Sequence, residues 1–251
     1  MKQNTENLVK AFGYLTLNEA QLLMDIADKM PAGSIVANVG AGVGTSALAV
    51  VEQRNDLAQT LYTIDHRDDD NPFGGLLNER HAFENAGMID LLPNQILGDS
   101  SDVGRSWQHG KIDFLIIDAD HTAEGLTNDI DAYVSHLSDA GYIAFHDYDK
   151  DKWQDVFDVV NKHFVNNEDF ELVKTVDTMI VFTRKQKVRN VKSAQPDITY
   201  DSTDSANNND TANYEVEELK QDIEKNKSRD WNQQEKENRR AISNEDIDDT
   251  R

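Results

Sequence analysis

Cysteine is absent from this 251-residue chain. Disulfides, thiolate metal ligands and cysteine nucleophiles are therefore excluded. No apolar run approaches the ~20 residues of a membrane span. The first residues, MKQNTENLVKAFGYL, lack the long apolar core of a signal peptide. Positive charge is scarce: 25 Lys+Arg stand against 47 Asp+Glu, for a formal net charge of -22. The deficit runs throughout, with 31 acidic and 14 basic residues in 1–185, and 16 and 11 in 186–251. Such a chain is repelled by nucleic-acid phosphates and by anionic lipid. The expectation is a cytoplasmic protein with no nucleic-acid and no membrane partner.

Large apolar residues become scarce from about Lys187. Residues Ser193–Asn213 are rich in Asn, Asp, Ser and Thr. They cannot bury enough surface to offset the entropy of ordering, so the segment reads as disordered. Tyr214–Arg240 carries helix-favouring Glu, Lys and Gln with few apolar positions, which allows a solvated or partner-dependent helix. Three regions result: an N-terminal helical segment (1–33), a folded domain (34–186) and a polar, acidic tail (187–251).

Within the folded part, Ser34–Val51 (SIVANVGAGVGTSALAVV) reads as strand, glycine-rich turn and helix. Glycines permit a sharp turn and close approach of a ligand to the backbone. The first N–H groups of the following helix are unpaired and can face a polar ligand. A GxGxG run alone is also what any tight α/β turn requires.

Further strands are expected at Thr60–Ile64, Gln95–Leu97, Ile112–Ile117 and Gly141–Phe145, with helices between them. Two closing strands, Phe170–Val176 and Thr178–Thr183, flank Asp177 as an antiparallel hairpin. Thr16-Leu-Asn-Glu19 has the form of a capping box before an apolar helical face. The predicted fold is α/β: a Rossmann-like, doubly wound, mostly parallel seven-stranded sheet with a C-terminal hairpin. Asp65, Asp99, Asp118, Asp120, His121, His146 and Asp147 all fall at strand ends, where open α/β sheets bind ligands. Helix capping explains one or two such residues, but not their recurrence at strand after strand.

Residues 34–184 resemble the class I S-adenosylmethionine-dependent methyltransferases. The motifs are VGAGVGTSA, YTIDH, GDSSDV, FLIIDADHTAEGLTNDI and IAFHDYD. The nearest branch is the macrocin-type sugar O-methyltransferases, with the catechol and caffeoyl-CoA enzymes more distant. The resemblance implies S-adenosyl-L-methionine as cofactor. Gly40, Gly42 and Gly44 would lie against its methionine and ribose, Asp65 against the ribose hydroxyls, and Asp99 and Ser100 near the adenine, with Asp118 also at the cofactor. Asn38 stands where the family usually carries an acid. The metal-dependent branch further implies a divalent cation, Mg or Mn, at Asp118, His146 and Asp147. It places His121 where relatives carry a catalytic lysine or histidine. His146 replaces a carboxylate there, and imidazole favours a softer ion. The expected substrate is a small molecule or saccharide bearing a hydroxyl. Two rivals stay open: a non-catalytic protein that keeps the fold as a binding module, and an NAD-dependent oxidoreductase, whose fingerprint would be GxGxxG.

Overall fold

The computed structural model describes residues 1–68 and 74–186. The tail, with the helix anticipated at 214–240, and residues 69–73 of the loop after the second strand lie outside them. Seven strands form one sheet: β1 (Val36–Val39), β2 (Leu61–Asp65), β3 (Asn94–Leu97), β4 (Ile112–Ile117), β5 (Leu137–Phe145), β6 (Phe170–Val176) and β7 (Met179–Arg184). Their order is β3-β2-β1-β4-β5-β7-β6. The first five pair in parallel, and β7 lies antiparallel between β5 and β6. The architecture is the one expected from the sequence.

The central strands are apolar almost without a break because helices cover both faces. One core joins Val36, Phe114, Ile116 and Ala144 to α2 (Leu17–Asp28) and α3 (Thr45–Gln53). The other joins Ala37, Val39, Leu115, Ile117 and Phe145 to α6 (Ala123–Tyr133) and α7 (Gln154–His163). Alternate residues of each strand thus feed opposite cores. The remaining helices are α1 (Gln3–Phe12), α4 (Leu76–Asn85) and α5 (Ser100–Arg105). No helix among the described residues is long and apolar enough to cross a membrane.

The capping box forms as its sequence demands. The Glu19 backbone N–H donates to the Thr16 hydroxyl at 3.1 Å, and the Thr16 N–H donates to Glu19 Oε2 at 2.8 Å. Helix α1, by contrast, has no side-chain cap at its N-terminus from its own sequence. The Glu52 carboxylate, in the last turn of α3, accepts from Asn4 N (3.1 Å), Thr5 N (2.8 Å) and Thr5 Oγ1 (2.7 Å). Strand β5 begins four residues before the expected Gly141; α6 ends at Tyr133 and a 3₁₀ turn, Val134–His136, carries the helical path to the expected His136. Asp113 of β4 explains the longer strand. Its carboxylate accepts from Ile35 N at 2.9 Å and from Ser138 Oγ at 2.7 Å, drawing the start of β5 onto the sheet.

Candidate active site

The parallel ladder carries on past the strand ends and sets several loops at one height. Gly40 N donates to Ile64 O (2.8 Å), Asp118 N to Val39 O (2.8 Å), His146 N to Ile117 O (3.2 Å) and Gly98 N to Asp65 O (2.9 Å). Each side chain implicated by sequence therefore starts from the same edge of the sheet.

At the glycine loop, Gly40 has φ 92° and Gly44 φ 85°, the left-handed region where glycine is favoured. A Cβ at Gly40 would sit 2.0 Å from the Asp118 carbonyl oxygen, so the loop backbone lies directly on the start of the next loop. At Gly42 an added Cβ would meet nothing within 4 Å among the described residues, although Gly75 N donates to the Gly42 carbonyl at 2.7 Å. Asp65 clasps the loop: its Oδ2 accepts from Ala41 N at 3.1 Å, while Oδ1 accepts from Arg67 N at 2.9 Å. Asn38 is fully buried in β1, between Thr63 and Ile116 of the neighbouring strands. Both polar atoms of its amide lack a hydrogen-bond partner among the described residues. A buried amide with two unmet groups is costly unless something satisfies them.

After β3, Asp99 caps α5, accepting from Asp102 N at 3.1 Å. Ser100 donates its hydroxyl to Asp129 of α6 at 2.5 Å. Burial pushes the Asp129 carboxyl up to about 6, with the Ser100 hydrogen bond opposing. His66 is exposed, its Nδ1 3.7 Å from Asp65 Oδ1.

Two histidines and two aspartates converge after β4 and β5. His121 Nε2 lies 2.8 Å from Asp147 Oδ2 and 3.8 Å from Asp118 Oδ1. His146 Nδ1 lies 3.3 Å from Asp118 Oδ1 and 3.2 Å from Asp147 Oδ2. Asp118, His121 and Asp147 each offer one ligand atom within 4.8 Å of the others. Asp147 has φ 55°, a left-handed conformation uncommon outside glycine, asparagine and aspartate. Such strain persists only where surrounding contacts over-determine it. The His121 ring stacks on Trp153, centroids 4.4 Å apart and planes 25° from parallel. His146 is the inner histidine, its side chain 6% exposed against 32% for His121.

Charge in this cluster is mutually stabilised. Hydrogen bonds donated to the Asp118 and Asp147 carboxylates push His121 up to about 9, against the opposing effect of burial. Burial alone would lower His146, but the Asp118 charge and contacts to Asp118, Asp147 and Glu19 raise it strongly. Burial would likewise raise Asp118 and Asp147, yet the two histidines hold both carboxyls below the usual range. Two carboxylates and an imidazole suit a divalent cation such as Mn²⁺, Fe²⁺ or Zn²⁺, and Mg²⁺ where oxygen ligands dominate.

Residues 37–148 match the family model of a methyltransferase domain. That stretch, under half of the chain, is what it shares with methyltransferase domains. Over 87 residues it is 40% identical to an uncharacterized protein of Acanthamoeba polyphaga mimivirus, covering 34% of this chain and 32% of that one. The chain thus spans about a third of that relative's length, 32%. The fold is shared with an SAH-bound methyltransferase of Podospora anserina (TM-score 0.59, 14% identity, 74% of this chain and 89% of that one). It is shared equally with a cofactor-bound protein from MTB (TM-score 0.59, 13% identity, 74% and 92% covered). An O-methyltransferase from Bacillus cereus in complex with SAH gives a TM-score of 0.55 at 12% identity, with 74% and 92% covered.

Three residues of the site were not singled out by sequence. Glu19 was read only as part of a cap, yet its Oε2 lies 3.4 Å from His146 Nε2. Asp129 lay inside an apparently ordinary helix, and Trp153 at the start of another. A buried-face position for Asp129, one turn before Tyr133 on α6, was the one local signal available. A cavity of about 360 Å³ lies elsewhere, between α1 and α4, and none of the predicted site residues lines it.

Proposed function

We propose that this methyltransferase domain uses S-adenosylmethionine to methylate a hydroxyl of a small molecule or sugar, with a divalent cation assisting. The observation that carries the reading is the contact of Gly40 with Asp118, which makes the glycine loop and the Asp–His cluster one continuous site. The unpartnered Asn38 amide fits a polar cofactor seated on that loop. Asp65 would receive ribose hydroxyls, and Asp99 and Ser100 would face the adenine.

S-adenosylmethionine supplies an electrophilic methyl group when bound, and a cation supplies the charge that acidifies a nearby hydroxyl. Asp118, Asp147 and His146 would hold that cation. His121, the more exposed histidine, would take the hydroxyl proton at Nε2. It is held protonated while both carboxylates face it, and becomes a base once they are engaged elsewhere. Stacking on Trp153 fixes the plane of its ring. The sheet edge brings these groups into register, and alignment of this kind supplies much of the rate in such reactions.

Calorimetry with S-adenosylmethionine, S-adenosylhomocysteine and NAD is the first test. The sulfur cofactors should bind and NAD should not. A panel of sugars and phenols with labelled S-adenosylmethionine then identifies the acceptor. Binding of NAD alone would overturn the reading, and cofactor binding without transfer to any hydroxyl, with metal present, would leave a binding module.

A further inference from the structure

Glu19 lies on the first turn of α2, far in sequence from the strand ends, yet it is 1% exposed and reaches the cluster. Its carboxylate is nearly saturated by groups that fix it. Oε1 accepts from Thr178 N and from Thr178 Oγ1, both at 2.8 Å. Oε2 accepts from Thr16 N at 2.8 Å, and the same oxygen lies 3.4 Å from His146 Nε2. Three elements are thereby joined: the N-terminus of α2, the β6–β7 turn, and the residue after β5. A second bond locks the first two together, from the Thr16 hydroxyl to Asp177 Oδ2 at 2.5 Å.

The consequence is a choice between ring nitrogens. With Nε2 directed at Glu19, Nδ1 is left between Asp118 Oδ1 and Asp147 Oδ2, at 3.3 and 3.2 Å. A histidine that ligates a metal commonly donates its other N–H to a carboxylate, which sets the tautomer and ring orientation. Glu19, His146 and the two aspartates are arranged in that order.

We propose that Glu19 is a positioning residue of the cluster: it takes the Nε2 proton of His146 in a hydrogen bond, so that the Nδ1 lone pair faces the cation held by Asp118 and Asp147. The proposal rests on the metal-assisted reading above and assigns Glu19 a role outside its helix cap. It also makes cation binding depend on the docking of α2 and of the β6–β7 turn.

Mn²⁺ titration by calorimetry on the full chain tests it, using wild type, Glu19→Gln, His146→Asp and the double variant. Glu19→Gln should weaken Mn²⁺ by ~10–100-fold, the usual cost of losing such a partner. In the His146→Asp background the same change should weaken it no further, because a carboxylate ligand has no tautomer to fix. Equal losses in both backgrounds, or no loss in either, would overturn the role of Glu19 while leaving the metal reading intact. A wild-type chain that takes up no Mn²⁺ would instead overturn the metal reading and, with it, this role. Should Glu19→Gln fail to fold, nitrogen-15 NMR of the Zn²⁺-loaded wild type decides. A proton on His146 Nε2 with Nδ1 metal-bound is expected, and the reverse assignment would refute the proposal.

Discussion

Glu79 offers a stability test that needs neither substrate nor metal. It is fully buried in α4, and its Cα and side chain press on Gly44 at the end of the glycine loop. Burial pushes its carboxyl up from 4.5 to about 7; hydrogen bonds from Gln95 and Thr63 oppose this, and the Asp65 charge adds to it. Oε2 receives both of those bonds, at 2.8 Å each, while Oε1 has no partner among the described residues. The sign follows from linkage. Below the unfolded value the group is neutral in both states and contributes nothing. As pH rises from 4.5 towards 7 the unfolded chain loses its proton first, so stability falls; above 7 the full penalty is present. At 1.36 kcal/mol per pH unit, the gap is worth about 3 kcal/mol. Glu79→Gln keeps an acceptor for Gln95 and Thr63 and cannot ionise. Its own unmet N–H groups add an offset that is the same at every pH. Urea unfolding of both proteins, followed by circular dichroism from pH 5 to 8, isolates the group in the difference between them. The variant should gain on wild type by about 3 kcal/mol across that range. A difference that stays flat with pH would show that Glu79 is not the buried acid described.

The other predictions concern the site. Asp65→Ala should weaken S-adenosylmethionine binding by ~1.5–3 kcal/mol, the scale of a hydrogen bond to a charged group; calorimetry giving unchanged affinity in a folded variant would remove Asp65 from the cofactor site. EDTA should abolish methyl transfer and spare cofactor binding, with Asp118→Asn and Asp147→Asn behaving alike; full activity in EDTA would sink the cation. His121→Ala should retain Mn²⁺ and cofactor yet lose transfer by ~10²–10⁴-fold, the range for a positioned base, and steady-state rates with an identified acceptor provide the check. Asp99→Ala should cost about 1 kcal/mol of stability through loss of the α5 cap, read as a shift in urea midpoint; no shift would mean the cap is idle.

The strands were legible because each apolar run had one clear end. IDFLII permits little but a central strand, and HDYD can only follow one. The four residues of the cluster were legible for the same reason, since parallel strands bring their carboxyl ends to one edge. What escaped was set by contacts between distant segments. Nothing near Glu19 announces His146, 127 residues away. Asp129 looks like a helical surface residue until Ser100 is placed against it. Glu79 is a polar residue inside apolar surroundings, and periodicity alone treats it as an exception. The edges of β5 escaped because Asp113, a charged residue in an apolar strand, organises them through side-chain bonds.

The Glu52 clasp on α1 bears on the order in which the chain is made. A ten-residue helix is too short to persist alone in water, and this one lacks an N-terminal side-chain cap of its own. Its capping carboxylate is synthesised 47 residues after Thr5. During synthesis, α1 must therefore wait, unstructured, for α3 to emerge. Its docking belongs to a late stage of vectorial folding, and a chain arrested before Glu52 would leave this N-terminal segment open to proteases.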